Sequence, residues 1–236
     1  MITELKKISN SLAPLLLSSG YQRKGNKYYR ISNGIAYCIY VEHPGLYYTG
    51  YYIFPLYIPR DFIVLTYGNR LNVHWNGTGD STVFSVQIIE GIQDTVLPFF
   101  QQIDNAEHLL AFLRQDFSFV YRWFFCPHFE ISLLRTYTAL MLHHNQEFHF
   151  AASETRQRIH TTNSYSSDFV TEIETELNSL EEIESLSEEE IDRHFQTQIA
   201  QSLQKFYPKY RPPKAETQSK NQSNQGTGKA NRGTVL

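Results

Sequence analysis

The sequence predicts an α+β fold, with an antiparallel sheet of four to five strands packed against helices and a C-terminal helical extension. Three observations predict it. Asn33-Gly34 separates two apolar-rich runs, and this dipeptide tolerates the positive φ that a two-residue hairpin turn needs at both positions. Alternating apolar and polar residues, typical of strands, continue to about residue 90. From Asp104 onward the apolar residues recur at helical spacing.

The first hairpin has a predicted register because its loop contains two residues. Ser32 then faces Ile35, and Tyr29 faces Cys38. One face carries no charge, and we expect it to lie under the helices; it consists of Tyr29, Ile31, Ala36, Cys38 and Tyr40. The other face is predicted to be partly solvated, and it carries Tyr28, Arg30, Ser32, Ile35, Tyr37 and Ile39.

Further elements follow from the same patterns. Residues 3–18 are helical, with a kink or a second helix at Pro14. Residues 47–58 form a strand, which Pro55 and Pro59 predict to be an edge strand or bulged near its end. Residues 71–75 and 84–88 are predicted to form a second hairpin around the glycine-rich loop 76–80. Residues 115–126 are densely aromatic, and periodicity leaves them open between a short strand and a helical turn.

The sequence divides into three predicted regions. Residues 1–160 form the α+β domain, 161–207 a helical extension, and 208–236 a disordered basic tail. A helix break is expected near Asn145. Residues 168–186 carry an apolar stripe and many acids, and Ser187 with Glu190 forms a capping box for the next helix, which Pro208 ends.

Composition favours a protein of the cytoplasm with no membrane contact. The net charge is −3, and no run approaches the eighteen apolar residues that a membrane span needs. The N-terminus lacks the order of a signal peptide. Cys38 and Cys126 stand alone in apolar surroundings, which indicates buried thiols in a reducing compartment.

One candidate for chemistry is a histidine cluster. His143, His144 and His149 lie close together, and Glu147 follows His143 by one helical turn, a spacing that can place two metal ligands on one face. The order does not match His-Glu-x-x-His, and the break at Asn145 separates the ligands. A polar corner between helices is preferred, so no metal ligand, cofactor or catalytic residue is assigned. A small metal-dependent enzyme using His143, His144 and Glu147 stays as an alternative.

A second candidate is the basic cluster of Arg23, Lys24, Lys27 and Arg30, interleaved with Tyr21, Tyr28 and Tyr29. Aromatic rings on a sheet beside cations can hold single-stranded nucleic acid. The mild charge argues against this partner, and core packing of the tyrosines is preferred. The candidate binding surface is Lys27, Tyr28, Arg30, Tyr37 and Trp75.

Nucleophilic catalysis finds no support, since there is no Gly-x-Ser-x-Gly and neither cysteine has a basic neighbour. The acids of residues 172–184 are predicted to be the outer face of their helix, with an acidic docking surface for a basic partner as the alternative.

Part of the sequence resembles a bacterial family known only as domain of unknown function 4304. The resemblance rests on Gly-Tyr-x-Arg-Lys-Gly-Asn-x-Tyr-Tyr-Arg at residues 20–30, the strand at 35–41, and residues 97–113 with Leu-Pro-Phe-Phe before a capped helix. It covers about residues 5–150. Some relatives resemble companions of bacterial toxins, so it implies an immunity or interaction role and no known activity. We therefore expect a non-catalytic protein-binding module with a protein partner.

Overall fold

A computed structural model describes residues 2–43, 45–61, 63, 67–162 and 165–210, so most of the predicted tail lies outside the described residues. Five antiparallel strands form one sheet in chain order: β1 (Gln22–Lys24), β2 (Lys27–Ser32), β3 (Ile35–Glu42), β4 (Tyr47–Pro55) and β5 (Gly68–Trp75). The helices are α1 (Ile2–Ser11), α2 (Ala13–Ser18), α3 (Ser81–Gly91), α4 (Leu97–Gln102), α5 (Ala106–Leu113), α6 (Phe117–Tyr121), α7 (His128–Met141), α8 (Asn145–Thr161), α9 (Ser167–Glu184) and α10 (Glu188–Phe206). A π-helical turn, Ile92–Val96, joins α3 to α4. The predicted α+β class is confirmed.

The β2–β3 hairpin has the predicted turn and register. Asn33 and Gly34 both have positive φ, 49° and 75°, which a two-residue type I′ turn requires. Ser32 pairs with Ile35, and Tyr29 pairs with Cys38. The local sequence therefore determined which side chains share a face.

The position predicted for the strand at residues 47–58 is wrong. β4 is an interior strand, paired with β3 on one side and β5 on the other. Pro55 is tolerated because it is the last residue of β4, where the ladder needs little from its missing N–H group. The irregularity in β4 lies near its beginning, between Tyr48 and Gly50, rather than near its end.

The second predicted hairpin is also wrong, because residues 84–88 belong to α3. The Asp80 carboxylate accepts a hydrogen bond from the Thr82 N–H group at 2.8 Å and starts the helix. Phe84 and Ile88 are buried, and Val86 is exposed. Buried positions four residues apart fit one helix face as well as they fit alternate strand positions, and the cap decides for the helix.

Both terminal regions have the predicted helices. Pro14 lies in the first turn of α2, so a second helix begins there. Ser187 and Glu190 form the capping box that opens α10, and α10 ends before Pro208. Leu177 of α9 and Phe195 of α10 belong to the same apolar core as the sheet. The predicted extension therefore packs onto the α+β part of the chain.

The prediction that the face carrying Tyr28 and Tyr37 is partly solvated is wrong, because the main set of helices covers that face. Tyr28 and Tyr37 are fully buried, and their hydroxyl groups donate to the carbonyls of Ser9 and Ile103 at 2.5 and 2.7 Å. The single charge on this face, Arg30, is accommodated because its guanidinium lies 5.3 Å from the Tyr37 ring centroid. A charge in the pattern thus marked the rim of the core rather than a solvated face.

The opposite face is covered as well. Ala36 and Cys38 have small side chains, so the end of α10 and the residues after it can pack closely against this face. The Tyr207 hydroxyl lies 3.5 Å from the Cys38 Sγ atom. Tyr29 and Tyr40 belong to this second core cluster rather than to the main one. Both cysteines are buried and free.

Candidate functional site

The surface proposed from the sequence does not form. Tyr28 and Tyr37 have no exposed area, so neither can contact a partner. Lys27 is exposed and Arg30 is half-buried on β2, while Trp75 lies on β5, with β3 and β4 in between. The physical reason is that helices cover the face that carries both tyrosines.

Trp75 packs against its neighbours on the sheet and on α3. Its indole N–H group donates to the Thr78 carbonyl. Its ring lies 5.0 Å from that of Tyr47 and stacks at 6.0 Å on Phe84 of α3. These contacts make Trp75 part of the packing between β5 and α3.

The histidine cluster is dispersed by the break between α7 and α8, which lies where the sequence predicts it. His143 has φ 57° after the end of α7, and its Nε2 atom lies 2.9 Å from Asp192 of α10. His144 Nε2 lies 3.7 Å from Glu107. His149 turns toward Glu184 of α9. Among the described residues no group of three His, Cys, Asp or Glu side chains could hold a metal ion.

Several carboxylates of the acidic helix α9 form ion pairs with neighbouring elements. Arg156 of α8 donates to Glu174 at 3.1 Å and to Glu181 at 2.7 Å. Arg60 donates to Glu176 at 2.8 Å. These three carboxylates face neighbouring elements, so the prediction that they form an outer face is wrong for them. Their ion pairs attach α9 to the rest of the fold.

The chain instead exposes aromatic rings around α6 and α8. Four aromatic side chains are more than a third exposed in the part of the chain that the structure describes: Phe119 (37%), Tyr121 (38%), Phe125 (68%) and Phe150 (57%). A folded protein normally buries side chains of this size, so a group of them on one region indicates an interaction surface.

Local packing holds two of these rings outward. Asp116 caps α6 by accepting from the Ser118 N–H group at 2.8 Å. Val120 and Phe124, four residues apart, are fully buried. Tyr121 and Phe125 each follow one of these buried residues by one position, so their side chains point away from the core toward solvent. The Phe125 N–H group donates to the Gly68 carbonyl at 2.9 Å, which fixes the segment against β5.

A continuous series of contacts joins Phe125 to Phe150. The series alternates aromatic rings with ionic groups: Phe125 to Tyr121 (5.4 Å), Tyr121 to Phe117 (5.4 Å), Phe117 stacked on His128, His128 to Arg158 (2.8 Å), Arg158 to Glu154 (2.7 Å), Glu154 to Arg135 (3.7 Å), and Arg135 to the Phe150 ring (4.8 Å). We call this region, together with Arg114, the α6–α8 surface.

At one end of the α6–α8 surface lies an open cleft of about 550 Å³. Its lining residues are Arg114, Arg135, His144, Asn145, Gln146, Glu147 and Phe150. Glu147 accepts from the Nε–H group of Arg114 at 2.9 Å and from that of Arg135. One Nη atom of Arg114 lies 3.2 Å from His144 Nδ1. The cleft thus joins the end of α5, the middle of α7 and the first turn of α8.

The groups that line this cleft are cationic, amide and aromatic, with one histidine and one carboxylate. No serine or cysteine lines the cleft. Burial raises the pKa of the Cys38 thiol to about 11, and burial also raises the pKa of Cys126. Both thiols are therefore protonated at neutral pH and unreactive. Arginines beside exposed rings bind anionic and apolar groups of another molecule.

Comparisons with known protein families, with curated proteins and with solved structures find no match for this chain. The resemblance to domain of unknown function 4304 stays a prediction. None of the helices in the described ranges is long and apolar enough to cross a membrane.

The density of aromatic residues in 115–126 was a sequence signal for this surface, although periodicity could not assign the segment to a helix or a strand. Residues 115–126 hold six aromatic side chains, more than one short segment can bury. Once the segment is helical at 117–121, the rings divide into an inner and an outer set. Arg114, Arg135 and Phe150 gave no such signal, because only the tertiary structure brings them together.

Proposed function

We propose that this protein is a non-catalytic protein-binding module and that its partner contacts the α6–α8 surface. The observation that carries the proposal is the exposure of Phe125 and Phe150, at 68% and 57%. Aromatic residues and arginine are enriched at protein interfaces, and Trp, Tyr and Arg are enriched among the binding hot spots. This surface presents both kinds of side chain.

Preorganisation supports the same proposal. The α6 segment is held by two buried side chains and by the hydrogen bond from Phe125 to β5. Ion pairs hold Arg135 between Glu147 and Glu154. A surface whose side chains are already ordered loses little conformational entropy on binding.

An immunity-like role is the specific form of this proposal. It rests on the resemblance to domain of unknown function 4304, some relatives of which resemble companions of bacterial toxins. A toxin encoded beside this gene is therefore the first partner to test. The cytoplasm remains the proposed location, supported by two buried free thiols that suit a reducing compartment.

The test is affinity capture with three baits: the natural chain, a Phe125→Ser/Phe150→Ser double variant, and Val83→Ser. Val83 is 59% exposed on α3 and serves as the matched control, since it loses a similar apolar contact outside the α6–α8 surface. All three substitutions are at exposed positions, so we expect the variants to fold.

We expect a stoichiometric partner on the natural chain and on Val83→Ser, and at least a tenfold loss on the double variant, as for removal of a hot spot. Quantitative mass spectrometry of extracts from the source organism, followed by binding of the purified partner, measures this. Identical recovery on all three baits would contradict the proposed surface, and no partner on any bait would contradict the proposed function.

A further inference from the structure

We propose that the cleft between Arg114 and Phe150 binds a carboxylate side chain of the partner, with an apolar side chain of the same segment against the Phe150 ring. This inference rests on the proposed function and names the chemistry that the partner presents. It is carried by the hydrogen-bonding capacity, the charge and the shape of the cleft.

Arg114 has hydrogen-bonding capacity to spare. Its Nε–H group donates to Glu147, and one Nη atom contacts His144. The other Nη atom has no hydrogen-bond partner among the described residues. The Arg114 side chain is 41% exposed, whereas that of Arg135 is 15% exposed. A ligand that enters the cleft therefore reaches Arg114 first.

Glu147 holds the two arginines in position. It binds the Nε–H group of each one, and its own side chain is only 15% exposed. The outer edge of the Arg114 guanidinium is thereby oriented before a ligand arrives. A guanidinium binds a carboxylate through two parallel N–H groups, and a fixed orientation favours that geometry.

The charge of the cleft selects a singly charged anion. Its lining contains two arginines and one carboxylate, with the uncharged amides of Asn145 and Gln146 beside them. Beyond the lining, Glu154 pairs with both Arg135 and Arg158, at 3.7 and 2.7 Å, which adds one charge of each sign. The excess is therefore one positive charge, which one incoming carboxylate neutralises. A doubly charged phosphate would exceed that charge and meet the repulsion of Glu147 at short range.

Phe150 supplies the apolar part of the site. The Arg135 guanidinium lies 4.8 Å from its ring centroid, and the ring is 57% exposed. Phe150 and Arg114 both line the cleft. The cleft thus combines a cation with an aromatic ring, and an acidic residue next to an aromatic or aliphatic residue is complementary to both.

A competing explanation is that the arginines serve only to neutralise Glu147 and to attach α5 and α7 to α8. Small probes distinguish the two explanations: 3-phenylpropionate carries a carboxylate and a ring, 3-phenylpropionamide carries the ring without charge, and phenyl phosphate carries a double charge. Amide chemical shifts in two-dimensional NMR spectra of the full chain report binding and folding together.

We expect 3-phenylpropionate to shift the amide signals of Asn145, Gln146 and Phe150 with a Kd of about 1 to 10 mM, as usual for so small a ligand. Arg114→Gln should weaken this binding about tenfold or more, since it removes a charge-assisted hydrogen bond. Arg114→Lys should retain part of it. Arg193→Gln is the matched control, because Arg193 is exposed on α10.

Three results would overturn the inference: no shift of these signals with 3-phenylpropionate, an equal response to 3-phenylpropionamide, or tighter binding of phenyl phosphate than of the carboxylate. Partner capture separates the two proposals. If Arg114→Gln retains the partner while Phe125→Ser/Phe150→Ser loses it, the carboxylate site is wrong and the binding function stands. If the probe binds and no partner depends on the surface, the binding function is wrong.

Discussion

Replacing Leu177 with alanine tests whether α9 unfolds together with the sheet. Leu177 has no exposed area, and it belongs to the main core although it lies in the region that the sequence assigns to an extension. Substitution of a fully buried leucine by alanine removes apolar contacts and leaves a cavity, at a cost of about 2 to 5 kcal/mol. With a urea dependence of about 3 kcal/mol per M, the unfolding midpoint should fall by about 0.7 to 1.7 M.

Tryptophan fluorescence is the appropriate measurement. The chain has two tryptophans, Trp75 on β5 and Trp123 after α6, and neither lies in α9. Trp123 stacks on Phe99 with a centroid separation of 4.2 Å. A fluorescence midpoint that responds to a change in α9 therefore reports coupling between α9 and the rest of the fold.

Leu186→Ala is the matched control, since Leu186 lies two residues after the end of α9 and is 44% exposed. We expect its effect to stay within about 0.5 kcal/mol. An unchanged fluorescence midpoint for Leu177→Ala, with a separate earlier loss of helical circular dichroism, would refute the reasoning. It would mean that α9 unfolds independently of the sheet.

Two further predictions concern a buried carboxyl group and a turn. Burial raises the pKa of Glu130 in the folded state. Its contribution to stability is therefore complete below the unfolded-state pKa and is lost as pH rises through the folded-state pKa. Glu130→Gln should gain thermal stability relative to the natural chain as the pH rises above the unfolded-state pKa, and an unchanged or opposite difference in a series of melting curves would contradict this. Gly34→Ala should lower the free energy of unfolding by about 1 to 2 kcal/mol because of the positive φ, and by a further amount because the new Cβ atom would lie 3.1 Å from Ile199. Gly25 has a similar φ and open space around it, so Gly25→Ala should cost only the first amount. Denaturant unfolding of both variants measures the difference.

The elements with a strong local signal were predictable from the sequence. Asn33-Gly34 defined the first hairpin because few other residues accept positive φ at both positions. The capping box at Ser187 located the start of α10. Residues 84–88 were mispredicted because Phe84 and Ile88, four residues apart, fit one face of a strand and one face of a helix equally well. The deciding group was Asp80, a single capping side chain.

The candidate site was less predictable than the fold. Two of the five residues chosen from the sequence, Tyr28 and Tyr37, are core residues. Their basic neighbours suggested an exposed surface. The Arg30 guanidinium instead lies at the rim of the core, 5.3 Å from the Tyr37 ring centroid. The α6–α8 surface depends on which aromatic rings point outward, and this depends on helix packing rather than on composition.

The sequence by itself determined the register of the tyrosine-rich hairpin, the capping box of α10 and the burial of both cysteines, because each depends on backbone preferences or on composition within a few residues. Only the tertiary structure decided which face of the sheet lies against the main set of helices. The pattern assigned Tyr29 and Tyr40 to that side, whereas Tyr28 and Tyr37 occupy it. The physical reason is that the end of α10 covers the second face, together with Tyr207, which lies 169 residues from Cys38 in the chain. Both faces are therefore apolar, and alternation alone cannot distinguish them.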